Sequence, residues 1–283
     1  MANPIKKMIR AVRQLRAMRR APLRLEFILT DYCNLNCKGC THYSPLAAKE
    51  FADLSRLEAS MQHLGRTCAT GIRDVYLIGG ETLLYPALPE AMQALRRNFP
   101  TQDMYIFTNG IMLERMDDRF WEAVRNTDCI IAITRYPINF NYQHAEETCR
   151  LNGARVRIFA DRADDSPFFR FALDPLKEQN GRISHFKCYN NGCISVIGSR
   201  VYPCSISGCV SHLNKACGTD FTHQDGDWLE VEKIRGVRDI QRLRNRPVPF
   251  CSYCIVPPDT VSYGPSARHI SEWVETVPRH TPS

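Results

Sequence analysis

The chain has 283 residues, 44% of them hydrophobic and 24% charged, with 13 cysteines and a net charge of +7. This is the composition of a globular protein with room for one large domain and an appendage, and it excludes collagen-like, low-complexity and coiled-coil architectures. No apolar run approaches the ~20 residues needed to span a bilayer, and no apolar secretory signal heads the sequence, so an integral membrane protein and a signal-exported one are both set aside. An odd number of cysteines without such a signal points to a reducing cytoplasm, where clustered thiols serve metals, iron–sulfur clusters or catalysis rather than disulfides.

Residues 1–24 carry eight basic side chains (Lys6, Lys7, Arg10, Arg13, Arg16, Arg19, Arg20 and Arg24) and no acid, so the remaining 259 residues sum to −1. A body of that charge does not bind nucleic acid electrostatically. Asn3 is suited to cap a helix with Pro4 at its first position, and Ile5, Met8, Ile9, Val12 and Leu15 fall near one face. This predicts a short basic amphipathic helix ended before Pro22. It can pack on the body with its charged face solvated, or make peripheral contact with an anionic membrane surface.

From Leu25 strand-like and helix-like segments alternate. The strand candidates are LEFILT (25–30), DVYLIG (74–79), MYIFTN (104–109), CIIAIT (129–134) and RVRIFA (155–160). Leu54, Leu57, Met61, Leu64 and Cys68 recur at helical spacing between the first two, and Leu88, Met92 and Leu95 between the next two. Such βαβα order implies a parallel sheet with right-handed crossovers, and five or six units suit a partial (β/α)6-type barrel, an α/β core over residues 25–185. Residues 161–186 read as an irregular bridging segment. Seven cysteines fall between Cys188 and Cys254, against six in the first 187 residues. This predicts a small cysteine-rich α+β domain at 186–258, followed by a C-terminal helix and tail at 259–283.

Cys33, Cys37 and Cys40 follow the first strand, at the barrel's C-terminal mouth, where barrel active sites lie. Three thiolates on one loop can hold one metal or one cluster and leave a position open for a ligand, as catalytic sites require. A zinc site completed by a distant fourth ligand would use the same triplet. Further on, Gly79-Gly80-Glu81 ends the second strand, Phe107-Thr108-Asn109-Gly110 ends the third, and Ile133 to Pro137 (ITRYP) ends the fourth.

The C-x3-C-x2-C spacing, followed in order by GGE and TNG at strand ends, resembles the radical S-adenosylmethionine (radical SAM) superfamily over roughly residues 25–160. The resemblance implies a 4Fe-4S cluster on Cys33, Cys37 and Cys40 whose fourth iron takes the amino and carboxylate groups of S-adenosyl-L-methionine. One electron then yields a 5′-deoxyadenosyl radical that abstracts hydrogen from substrate; the chemistry is the cofactor's, and the protein positions it. Gly79, Gly80 and Glu81 would meet the cofactor's amino group, the glycines by allowing close backbone approach and the glutamate by pairing with an ammonium. Thr108 and Asn109 would sit beside it, and Thr134 and Arg135 would reach its ribose and carboxylate. The position before the third cysteine, often aromatic in this superfamily, is Gly39 here, which leaves adenine packing to Tyr43. His42 is expected to be a supporting or surface residue.

Between Cys193 and Cys204, ISVI, a Gly198-Ser199 turn and RVYP predict a hairpin; cysteines at its ends plus Cys251-x2-Cys254 can close around one metal centre. Alone, this reads equally as a zinc ribbon. Behind a radical SAM core it resembles the SPASM and Twitch domains, which implies one auxiliary 4Fe-4S cluster on Cys188, Cys204, Cys251 and Cys254, with Cys193 competing for the place of Cys188. Cys68, Cys129 and Cys149 are expected in the core. Cys193, Cys209 and Cys217 lie in the cysteine-rich region, each either an inert or partial-ligand thiol or a spare thiol near the site; Cys193 and Cys209 are candidate hydrogen-atom donors to a substrate radical. THYSPLA, LIGGETLLYP and FCSYC…SEW are similar to radical SAM proteins associated with surface-glycan synthesis. That resemblance implies a cytoplasmic oxidoreductase or epimerase acting on a carbohydrate or another small molecule, with a flavodoxin- or ferredoxin-type electron donor. A peptide-modifying maturase is the alternative among enzymes, and a non-catalytic zinc-binding scaffold the alternative of another class.

Overall fold

A computed structural model describes residues 22–161 and 168–275. The basic N-terminal helix lies outside the described residues, as does the end of the tail.

All five expected strands form. β1 (Leu23–Thr30), β2 (Ile72–Gly79), β3 (Asp103–Thr108), β4 (Ile130–Arg135) and β5 (Arg155–Asp161) pair in parallel, in the order β5-β4-β3-β2-β1. The crossovers are α1 (Leu54–Cys68), α2 (Leu88–Asn98), α3 (Asp118–Thr127) and α4 (Tyr142–Leu151). Their starts follow from capping: the carboxylates of Asp53 and Asp117 accept from the amides of Arg56 and Phe120, and the Asn141 side chain accepts from His144. α1 buries Leu57, Met61, Leu64 and Cys68, the residues whose spacing marks the helix. Because side chains alternate along a strand, Leu25, Phe27 and Leu29 enter the core, while Arg24 and Glu26 line a cavity. Each fully buried Leu or Phe contributes about 2 kcal/mol of burial free energy.

The sheet continues where a separate unit was expected. β6 (Phe168–Arg170) and α5 (Gly181–Phe186) lie in the bridging segment, and β7 (Ile194–Ile197) then pairs in parallel with β1, Leu25 opposite Ile194 and Phe27 opposite Val196. β8 (Arg200–Tyr202) returns antiparallel to β7; after α6 (Ser205–Gly208) and α7 (Val210–Cys217), β9 (Leu229–Glu230) pairs antiparallel with β8. The expected hairpin is therefore real, but its first strand is the sixth parallel strand. The division at residues 185/186 runs through one sheet and one continuous core that includes Phe27, Val196, Phe250 and Trp273.

α8 (Val237–Asn245) precedes β10 (Asp259–Val261), which pairs antiparallel with β6. The expected C-terminal helix does not form among residues 259–275. Pro265 and the left-handed Arg268 (φ 57°) interrupt the backbone, leaving one 3-10 turn at Ile270–Glu272 capped by His269. Among the described residues no helix is long and apolar enough to cross a membrane.

Candidate active site

The motif residues converge at the C-terminal ends of β1 to β4. Cys33, Cys37, Cys40, Gly79, Gly80, Thr108, Asn109 and Thr134 all line one cavity of about 350 Å³, within the size range of small-molecule sites. The cysteine loop is held from the far end of the chain. Lys38 donates its amide to the Gly264 carbonyl (3.0 Å), Ser266 to that of Asn36 (2.7 Å), and the Trp273 indole to that of Cys40 (2.9 Å). The Tyr263 hydroxyl lies 3.9 Å from the Cys37 sulfur and the Asn109 amide 3.9 Å from that of Cys33. Gly39 has φ +69°, the left-handed conformation that glycine adopts without strain; this local need explains the missing aromatic.

The GGE residues also have structural partners of their own. A Cβ on Gly79 would lie 2.0 Å from the Thr30 carbonyl oxygen, and one on Gly80 2.4 Å from that of Tyr32. The glycines are thus required where the end of β2 meets the loop that carries the cysteines. Gly80 and Glu81 donate their amides to those same two carbonyls (2.7 and 3.0 Å). Glu81 is fully buried and does not line the cavity. Its Oε1 accepts from Thr108 Oγ1 (2.7 Å) and the Leu83 amide (3.1 Å), and its Oε2 from the Asn109 amide (2.9 Å). Burial raises its carboxyl above the ordinary range against the pull of those donors. Glu81 therefore positions the TNG turn. Glu81→Ala would strand a buried hydroxyl and two amides, and is expected to cost about 3 kcal/mol, measurable by denaturant unfolding.

Tyr43 is in the core, not at the cavity. It is 1% exposed, adopts φ 53°, donates to the Ile206 carbonyl (3.4 Å) and packs 6.1 Å from the Trp273 ring. Arg135 is ion-paired to Glu146 of α4 and does not line the cavity, whereas Thr134 does. His42 is the reverse case: it lines the cavity and meets Asp31 at 3.2 Å.

The cavity also receives Phe107 of the third strand-end motif and groups that the motifs did not single out: Arg24, Glu26 and Tyr76 from the strands and Phe168 from β6. A charged residue inside the apolar run LEFILT was the available signal for Glu26. Cys193 lines this cavity too, and Glu26 and the Cys193 thiol are close enough to interact. Burial, then Glu26, raises the thiol well above its ordinary value, so its sulfur keeps its hydrogen. Cys209 does not line the cavity; it is 1% exposed, and its thiol donates to Asp31 Oδ1 at 3.5 Å.

Cys188, Cys204, Cys251 and Cys254 surround a second cavity, about 40 Å³, walled otherwise largely by apolar groups such as Phe171, Ile206, Val248 and Phe250. Burial raises all four thiols, Cys251 to about 11, and neighbouring cysteines of the set raise Cys204, Cys251 and Cys254 further. A bound cation would favour their thiolates. Of the two competing residues, Cys188 is in this set and Cys193 is in the other cavity. Cys68, Cys129 and Cys149 are buried, as their spacing suggested.

The residues present fit a three-cysteine cluster site with an adjoining ligand cavity. The sequence model of the Radical SAM superfamily matches residues 27–150. The GTP 3′,8-cyclase of Alkaliphilus oremlandii is 30% identical over 95 residues, 34% of this chain and 30% of that protein. That of Chlorobaculum tepidum is 32% identical over 101 residues, 34% of this chain and 28% of that protein. The chain thus spans less than a third of these relatives' length. The crystal structure of BtrN in complex with AdoMet and 2-DOIA superposes with a TM-score of 0.52 at 14% identity, covering 83% of this chain and 93% of that one; the likeness is one of fold. Residues 27–150, which bring the cysteine triplet and the TNG turn to one cavity, carry the match to the radical SAM superfamily.

Proposed function

We propose that the chain is a radical SAM epimerase acting on a carbohydrate. Cys33, Cys37 and Cys40 would hold a 4Fe-4S cluster, with S-adenosyl-L-methionine along Gly79-Gly80, Thr108, Asn109 and Thr134. The bound cofactor supplies a 5′-deoxyadenosyl radical that takes a hydrogen atom from substrate. Cys188, Cys204, Cys251 and Cys254 would hold an auxiliary 4Fe-4S cluster, an electron reservoir beside the site. Arg24, Glu26 and Tyr76 offer charged and hydroxyl partners to a polyhydroxylated substrate. The full-length activities of the cyclase relatives are not carried over, since their similarity covers less than a third of their length.

The observation that carries this reading is the Cys193 thiol in the cavity shared with the triplet. Cys193 gives its hydrogen atom to the substrate radical, forming a C–H bond and leaving an unpaired electron on sulfur. One electron, from a donor protein of the flavodoxin or ferredoxin type, and one proton restore the thiol. Glu26, whose carboxyl burial holds above the ordinary range, is placed to supply that proton. Thiol hydrogens exchange with solvent, so turnover in D2O is expected to place one deuterium at the inverted carbon. A product two hydrogens lighter than substrate, free of deuterium and still made by Cys193→Ala, would instead identify a dehydrogenase.

A further inference from the structure

A third potential metal centre lies beside the cysteine triplet, built from residues that neither cysteine set uses. Asp31 follows β1, His42 follows the cysteine loop, and Cys209 sits at the junction of α6 and α7. Asp31 Oδ1 is 3.2 Å from His42 Nδ1 and 3.5 Å from Cys209 Sγ, and one potential ligand atom from each of the three residues lies within 4.8 Å of those of the other two. The group is secluded: the side chains of Asp31 and His42 are 13% and 11% exposed, and Cys209 is 1% exposed. The remaining carboxylate oxygen, Asp31 Oδ2, meets His212 Nε2 of α7 at 2.8 Å.

We propose that Asp31, His42 and Cys209 form a mononuclear divalent-metal site of zinc type. Carboxylate oxygen, imidazole nitrogen and thiolate sulfur together are the donor set that zinc or cobalt takes, and one that magnesium and calcium do not. One carboxylate, one thiolate and a neutral imidazole balance a divalent ion, so the buried centre is electrically neutral. Three protein ligands leave a fourth position for water or a ligand, the arrangement of open zinc sites. His212 orients the carboxylate from outside, as partners of metal-ligating carboxylates do. The three ligands come from chain segments more than 160 residues apart at the extremes, so the ion would clamp the cysteine loop to the α6–α7 junction. His42 also lines the cavity, which places the ion in the cavity wall. This proposal stands apart from the choice between epimerase and dehydrogenase.

The test is anaerobic titration of the iron-loaded full-length protein with Co2+, read by visible d–d absorption and electron paramagnetic resonance, with zinc as competitor. One saturable equivalent of high-spin Co2+, displaced by zinc, is expected in the wild type. It should be lost in His42→Ala and Cys209→Ser, and bound about 10–100-fold more weakly in His212→Gln, at wild-type iron content. If His42→Ala or Cys209→Ser loses iron, wild-type stoichiometry and His212→Gln decide. Absence of a saturable equivalent in the wild type, or uptake unchanged in the variants, would overturn the site and leave these residues as a hydrogen-bonded clasp.

Discussion

Replacing Cys33, Cys37 and Cys40 together with alanine is expected to reduce 5′-deoxyadenosine formation to background in a protein that still folds. The three side chains line the cavity and are only partly buried, whereas the loop is held through backbone groups: Lys38 to Gly264, Ser266 to Asn36, and the Trp273 indole to the Cys40 carbonyl. Truncating the thiols leaves those bonds in place, so the loss should be chemical rather than structural. Product analysis after anaerobic reduction with S-adenosyl-L-methionine gives the activity, and circular dichroism checks the fold. Cofactor cleavage surviving in the triple variant would remove these residues from the reaction.

Cys193→Ala is expected to separate two events that the wild type couples. Cofactor cleavage should continue, because the triplet, Gly79-Gly80 and the TNG turn are untouched. Epimerised product should fall to background, because no other spare thiol lines the cavity; Cys209, the other donor candidate, is turned to Asp31. Substrate radicals formed without a donor would collapse into other products, visible as 5′-deoxyadenosine in excess over product. Glu26→Gln keeps the volume of the side chain but not its acid, so it should slow product formation while leaving the deuterium label intact.

The sheet was legible because its pattern is local. LEFILT, DVYLIG, MYIFTN and CIIAIT are apolar runs ended by turn residues, and the motifs that end them necessarily share one sheet edge. What escaped the reading depends on partners far along the chain. ISVI has strand character either way, and nothing local says that its partner is Leu25–Phe27 rather than only the returning hairpin strand. Tyr43 follows the cysteine loop, but its ring is claimed by Trp273, 230 residues later. Arg135 is at the strand end as expected, yet Glu146 of the following helix takes its charge. The GGE motif lies at the strand end where the pattern puts it, and it also has structural partners that no local pattern shows. Its glycines answer to the carbonyls of Thr30 and Tyr32, and its glutamate to the TNG turn. For the auxiliary set, the resemblance puts Cys188 first with Cys193 competing, and the two line different cavities.

The central claim is that two separate cysteine sets serve two clusters, one for cofactor cleavage and one beside it. Iron and acid-labile sulfide, counted in anaerobically reconstituted protein, test it most directly. The expected result is about eight irons per chain in the wild type, since each 4Fe-4S centre holds four irons. About four should remain in the Cys33/Cys37/Cys40→Ala variant, and about four in Cys251/Cys254→Ala. A wild type that holds only about four irons, or a first variant that holds none, would contradict the claim.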